Sequence, residues 1–139
     1  MSDIPGLDGV LGVEYVETTG DRVVVTWPIT ERHLQPFGLP HGGAYCAVHE
    51  STASIGGFMW LAGKGVAVGS NNSTDFLRQG AVGDQMTTTA TPIHRGRTQQ
   101  LWRTETVDQN GRLMAQGQVR LANLEQEIPP SAFDRFTVA

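Results

Sequence analysis

The sequence is poor in cysteine and in charge, and it has no long apolar run. Its single cysteine, Cys46, excludes an internal disulfide framework and a cysteine-based zinc site. Charged residues make up 17% of the 139 residues and the formal net charge is -4, so no overall positive field favours nucleic acid. No apolar stretch approaches the roughly 18 residues that indicate a membrane span. The first ten residues lack the basic and apolar regions of a signal peptide, so we expect a cytoplasmic protein.

Strand-like segments stand at both ends of the chain. Residues 10–18 and 21–29 are rich in β-branched and aromatic residues and are separated by a short turn, which predicts a hairpin. Further strand-like segments follow residue 64, and Asn110-Gly111 between the last two is a strong hairpin signal. Because the later strands follow one another without intervening helices, the sheet should be mostly antiparallel.

One long helix separates the two groups of strands. From residue 41 to about residue 62, apolar residues recur at helical spacing and form one stripe, which consists of Ala44, Val48, Ile55, Met59 and Ala62. A helix of this length can cover one face of the sheet, so we expect an α+β fold. One domain should span residues 1–139, with its core at about 9–124 and an irregular tail at 125–139.

Glu50 places a charge in the middle of this helix. At about 100° per residue it lies roughly opposite the apolar stripe, on a face that holds Gly43, Cys46, Ser54, Gly57 and Leu61. A face of mostly small residues permits close approach of another backbone or of a ligand. Glu50 is therefore either a carboxylate delivered to a site or an ordinary polar residue of the helix, and periodicity alone does not separate the two.

The start of the helix offers hydrogen-bond donors. Gly42 and Gly43 stand at the first turn, where backbone N–H groups are unsatisfied and the helix carries a partial positive charge. Such donors suit an oxyanion or a carbonyl oxygen, although two glycines also suit a tight turn from loop to helix.

The spacing of His41 and Glu50 points to two chains. They are nine residues apart, which is about 13 Å along a helix. They cannot meet at one reacting atom within a single chain. A site that uses both residues therefore requires a dimer. A two-fold axis would place the helix N-terminus of each chain beside Glu50 of the other chain.

This segment resembles the hotdog-fold acyl-CoA thioesterases, in the branch of the phenylacetate-pathway and hydroxybenzoyl-CoA thioesterases. The family's glutamine, His-Gly-Gly, glutamate and serine or threonine occur here in unbroken register, as Gln35, His41, Gly42, Gly43, Glu50 and Ser54. The segments NSTDFLR and HRGRTQQLW add to the likeness, which runs from about residue 9 to 124. The resemblance implies a hotdog fold, a long helix wrapped by an antiparallel sheet, and hydrolysis of an acyl-CoA thioester.

The resemblance also implies a catalytic role for each residue of the motif. Glu50 would be the nucleophile or the general base at the thioester carbonyl. The Gly42 N–H would polarise the carbonyl oxygen. Gln35 and His41 would orient the thioester or the water, and Ser54 would hold the carboxylate or the water. No metal is expected, and no cofactor, since CoA is part of the substrate.

Further residues are expected to bind the substrate. The phosphates of CoA need cations, which Arg78, Arg95 and Arg97 could supply, although each could also be a solvated charge. Some family members that act on aromatic acyl groups have a histidine where this sequence has Phe76. The phenylalanine would make that side of the pocket apolar and remove a hydrogen-bond partner, which argues against a hydroxy-aromatic substrate. The expected binding set is Gly43, Phe76, Arg78, His94, Arg95, Gly96 and Arg97.

Two alternative functions stay open. A non-catalytic acyl-CoA-binding protein would keep the arginines and could dispense with Glu50. Another hotdog enzyme of acyl thioesters, such as a dehydratase, would carry different histidine and acid motifs, which this sequence lacks. The expected assembly is at least a homodimer and, by resemblance, a tetramer of two dimers. Acyl-CoA is the expected partner, with neither nucleic acid nor membrane.

Overall fold

The chain folds around one long helix, α2 (Gly42–Leu61), that lies against a six-stranded antiparallel sheet; a computed structural model describes residues 3–137. The sheet has the order β1-β2-β4-β5-β6-β3, so β1 and β3 form its edges. This architecture confirms the expected α+β class and the hotdog arrangement. The strands are β1 (Glu14–Thr18), β2 (Val23–Pro28), β3 (Gly65–Phe76), β4 (Gln85–Arg95), β5 (Gln99–Val107) and β6 (Leu113–Glu125).

Glycines let α2 approach the sheet closely. A Cβ atom on Gly56 would lie 2.5 Å from Cη2 of Trp102, and one on Gly57 would lie 2.6 Å from a methyl group of Leu121. Trp102 and Leu121 are fully buried, so they could not move aside without disturbing the core. Of the apolar stripe of α2, Ala44, Val48 and Ile55 are buried and Met59 is half-buried. Ala62 is exposed and caps the helix with a φ of 52°.

A chain of hydrogen bonds crosses the core beneath α2. Nε2 of His49 is 2.8 Å from Oγ1 of Thr106, and Nδ1 is 3.0 Å from Oγ1 of Thr104. Thr106 in turn contacts Thr88 at 2.6 Å, and the Thr88 hydroxyl accepts from the indole N–H of Trp27 at 3.0 Å. Burial lowers the pKa of His49 from 6.5 to about 4, because the charged ring would lose its hydration.

Acidification is expected to destabilise the fold through His49. The unfolded chain takes up the proton near the ordinary pKa of 6.5, whereas the folded chain resists it down to a pKa of about 4. The contribution of His49 is therefore complete above 6.5 and is lost as the pH falls towards 4. At 1.36 kcal/mol per pKa unit, the loss is about 3 kcal/mol.

The measurement is the free energy of unfolding in urea between pH 7 and pH 4, for the wild type and for His49→Gln at equal chain concentration. The wild type should lose about 2–3 kcal/mol more than the variant over this interval. Parallel pH profiles for the two proteins would contradict the assignment.

The start of the chain departs from the sequence prediction. Residues Leu7–Leu11 form a short helix, α1, and the first strand begins at Glu14 rather than at residue 10. Gly12 ends α1 in the left-handed region with a φ of 75°, and the next N–H, that of Val13, donates to the Asp8 carbonyl at 3.0 Å. The β-branched residues by themselves predict a strand from residue 10. The glycine-capped turn ends a helix there instead, and it is the physical reason for the difference.

The tail also differs from its expected irregular form. Residues Pro130–Phe136 make a 3-10 helix. Phe133 stacks on Phe58 of α2 with ring centroids 4.7 Å apart, and Phe136 lies 5.6 Å from Tyr15. The Thr18 hydroxyl donates to the Phe136 carbonyl at 2.6 Å. Aromatic contacts with two other elements therefore hold the tail on the domain.

The other strand and turn predictions are confirmed. β5 and β6 pair antiparallel, and the turn between them holds Gly111 at a φ of 76°. The Asp108 carboxylate accepts from the backbone N–H groups of Asn110 and Arg112, both at 2.9 Å. Within residues 3–137, no helix combines the length and the hydrophobicity needed to cross a membrane.

Candidate active site

The long helix begins at Gly42, and His41 is its cap. The His41 backbone is extended, and its Nδ1 accepts from the Gly43 N–H at 2.7 Å. This bond needs a lone pair on Nδ1, so the proton of the neutral ring is on Nε2. Among residues 3–137 the Gly42 N–H has no acceptor, which leaves it as a free donor at the positive end of the helix.

A tight loop places Gln35 ahead of this helix end. The Gln35 N–H donates to the Leu39 carbonyl at 2.8 Å, and its own carbonyl accepts from the Gly38 N–H at 2.9 Å. The side-chain oxygen of Gln35 accepts from the Phe37 N–H. Since that oxygen is engaged, the amide NH2 group of Gln35 is the part that can donate to a substrate or to water.

A cavity of about 380 Å³ opens beside Gly42. The ring of Phe76 lies against this glycine, because a Cβ atom on Gly42 would be 2.8 Å from its Cζ. The size of the cavity is within the range of small-molecule sites, about 300–1,000 Å³. Its walls are formed by Pro40, Gly42, Tyr45, Phe76, Leu77, Arg78, Gln79 and Gly80.

Glu50 lies further along α2, over the edge strand β3. Its side chain is exposed, and a Cβ atom on Gly69 would be 2.7 Å from its Cδ, so Gly69 makes room for the carboxylate. On the same face, Gly57 packs against Ala67, also in β3. The small-residue face is therefore turned towards the backbone of β3. Ser54, one turn after Glu50, is half-buried.

Asn72 connects β3 to the turn of α2 before Glu50. Its Nδ2 donates to the Cys46 carbonyl at 2.8 Å, and its Oδ1 accepts from the Thr74 hydroxyl at 2.7 Å. The sequence pattern indicated no role for this residue. Two consecutive asparagines within a strand, where asparagine is rare, are the signal that could have drawn attention to it.

The arginine-rich turn lies at the opposite end of α2. Nη1 of Arg95 donates to the Gly20 carbonyl at 2.7 Å and to Asp21 at 2.8 Å, and its guanidinium lies 5.6 Å from the ring centroid of Trp60. These contacts engage Arg95 in the fold. Gly96 forms the turn, where its N–H donates to the Gln99 carbonyl at 2.9 Å.

Arg97 and Lys64 line a second cavity, of about 540 Å³, at this end of the helix. His94 and Arg97 are exposed. The structure thus brings Gly42, Phe76 and Arg78 together around the first cavity and places the turn at 94–97 elsewhere. Lys64 was not anticipated from the sequence, because a single lysine after a helix has no distinctive pattern.

Comparisons with known proteins identify the class of enzyme to which this fold belongs. The thioesterase superfamily model matches residues 37–115. Rv1847 from Mycobacterium tuberculosis is 44% identical over 85% of this chain and 86% of its own. The chain belongs to the thioesterase superfamily, which confirms the resemblance found in the sequence.

Two further relatives carry informative names or structures. The 1,4-dihydroxy-2-naphthoyl-CoA hydrolase of Escherichia coli (strain K12) is 31% identical over 84% of this chain and 85% of its own. The crystal structure of AziG from S. sahachiroi superimposes with a TM-score of 0.84 at 47% identity and covers 88% of this chain and 98% of that one.

Proposed function

We propose that the protein hydrolyses an acyl-CoA thioester at a site shared by two subunits. One observation carries the proposal: α2 has a free Gly42 N–H beside a cavity and an exposed carboxylate at Glu50. The separation of the two along the helix is about 12 Å at 1.5 Å per residue. A helix N-terminus from one subunit and Glu50 from the other could act on the same carbonyl group.

The exposed edge of strand β3 favours the proposal of a second subunit. In the sheet it is hydrogen-bonded on one side only, to β6, and most of its residues from 68 to 76 are exposed. An unpaired edge of this kind favours pairing with another strand. A two-fold axis beside β3 would place the same edge of both copies together. Because Glu50 lies over Gly69 of this strand, such pairing would bring Glu50 to the boundary between subunits. A tetramer of two dimers stays a prediction.

The helix N-terminus would stabilise the developing negative charge. In the proposed complex, the Gly42 N–H donates to the thioester oxygen, and the helix dipole adds to its effect. The proton on His41 Nε2 and the amide of Gln35 would orient the thioester or the water. Gly43 contributes differently, since its N–H holds the His41 ring.

Glu50 would open the thioester by one of two routes. Its carboxylate attacks the carbonyl carbon and forms an anhydride that water then hydrolyses, or it takes a proton from a water molecule that attacks directly. In both routes the carbon–sulfur bond breaks, the sulfur takes up a proton and leaves as the CoA thiol, and the carboxylate is regenerated. Ser54 would hold the carboxylate or the water.

An aromatic acyl group would fit against the ring of Phe76, in a cavity whose lining is partly apolar and partly polar. Phe76, Pro40 and Leu77 line the cavity next to Gly42. The name of the E. coli relative, 1,4-dihydroxy-2-naphthoyl-CoA hydrolase, points in the same direction. Arg78 at this cavity, or Arg97 with Lys64 at the second, would offer cations to the phosphates of CoA.

The test is thiol release from a panel of short-chain, long-chain and aromatic acyl-CoAs. We expect saturable hydrolysis, with aromatic acyl groups among the substrates. Saturable binding of acyl-CoAs without thiol release from any of them would reject hydrolysis and favour a binding protein.

A further inference from the structure

Tyr45 carries a buried hydroxyl group without a hydrogen-bond partner. The residue is 4% exposed, and its Oη bonds to nothing in the part of the chain that the structure describes. Native proteins leave few buried polar atoms unsatisfied, because each one destabilises the fold. A hydroxyl in this state is free to make a hydrogen bond to a bound ligand.

The position of Tyr45 connects it to the first cavity. Its ring meets Trp27 edge-on, with centroids 5.2 Å apart, and lies 6.1 Å from the ring of Phe76. Tyr45 and Gly80 both line the cavity, and a Cβ atom on Gly80 would lie 3.1 Å from the tyrosine oxygen. A glycine at position 80 therefore leaves space beside the hydroxyl that a side chain would fill.

The surroundings of Tyr45 make it a donor. Burial raises its pKa, and the carboxylates of Asp84 and Asp108 raise the pKa further, so the hydroxyl stays protonated. Asp84 itself is engaged, since it accepts from the Ala81 N–H at 2.8 Å and from Gln109 at 2.9 Å. The two carboxylates also disfavour an acyl group that carries its own negative charge at this place.

We propose that the Tyr45 hydroxyl donates a hydrogen bond to a neutral oxygen on the acyl group and thereby selects acyl groups that carry one. This inference rests on the proposed function, which puts the thioester carbonyl at Gly42. Residues three apart on a helix lie on the same side, so Gly42 and Tyr45 can contact two parts of one bound acyl group. The hydroxyl supplies the hydrogen-bond partner that Phe76 does not.

The test compares Tyr45→Phe with the wild type on benzoyl-CoA and its ortho-, meta- and para-hydroxy derivatives. For the hydroxy isomer that the wild type prefers, the variant should lose about tenfold in kcat/KM, the effect of one neutral hydrogen bond. For benzoyl-CoA, which has no ring hydroxyl, the loss in kcat/KM should be smaller, so that the preference for the hydroxy isomer falls. Tyr15→Phe is the matched control, because Tyr15 bonds to Asp8 outside this cavity and should leave the preference intact.

Thermal unfolding separates this role from a structural one. Tyr45→Phe removes an unpartnered hydroxyl, so it should melt at the same temperature as the wild type or higher. A lower melting temperature together with an equal loss on all four substrates would overturn the role of Tyr45 and leave the proposed function standing. Absence of thiol release from every acyl-CoA by the wild type would overturn both.

Discussion

Replacing Glu50 by glutamine is expected to lower kcat by about a thousandfold, within the range for loss of a catalytic base. An amide neither attacks a thioester carbon nor takes a proton from water at neutral pH. Glutamine has the size of glutamate, and position 50 is exposed, so the fold should be unaffected. The measurement is the rate of thiol release at saturating acyl-CoA.

A matched control is Glu14→Gln, which removes an exposed carboxylate from β1, the opposite edge strand of the sheet. This variant should hydrolyse at the wild-type rate. Wild-type kcat in the Glu50→Gln variant, with the oligomer intact, would remove Glu50 from the mechanism.

The Gly42→Pro variant is expected to have a kcat about 10²–10³-fold lower than the Gly42→Ala variant. A difference of this size is the effect of losing one oxyanion donor. Both variants add a Cβ atom against the ring of Phe76, but only proline removes the N–H. The helix should tolerate proline because position 42 is its first residue. His41, with a φ of -74° and a ψ of 128°, already has the backbone conformation favoured before proline.

The comparison of the two variants isolates the hydrogen bond from the crowding. Circular dichroism and thermal unfolding should give the same helix content and similar stability for Gly42→Pro and Gly42→Ala. Equal kcat values for two equally folded variants would mean that the Gly42 N–H does not stabilise the transition state.

Much of the fold could be predicted from local patterns. The period of α2, the alternation in the later strands and the Asn110-Gly111 turn are each properties of neighbouring residues. The helix α1 and the 3-10 helix of the tail were missed, because they depend on glycine-capped geometry and on contacts between Phe133, Phe136 and the distant Phe58. Such long-range aromatic contacts leave no periodic signal.

Part of the candidate site could also be predicted from local patterns, and part of it could not. Gln35, His41, Gly42, Glu50 and Ser54 could be proposed together because they stand close in the sequence at fixed spacing. The contacts of Arg95 with Asp21 and Trp60 join three separate segments, so sequence reasoning could not tell an engaged arginine from a free one. The same holds for Tyr45 and Asn72, whose surroundings exist only in the folded chain.

The shared site is tested most directly by mixed dimers of a Glu50→Gln chain and a Gly42→Pro chain, purified through two different affinity tags. In a two-fold dimer with shared sites, one site carries both defects and the other carries neither. The mixed dimer should therefore recover about half of the wild-type activity, although each parent is nearly inactive. If each site is built within one chain, every site keeps one defect, and the mixed dimer would stay as inactive as its parents.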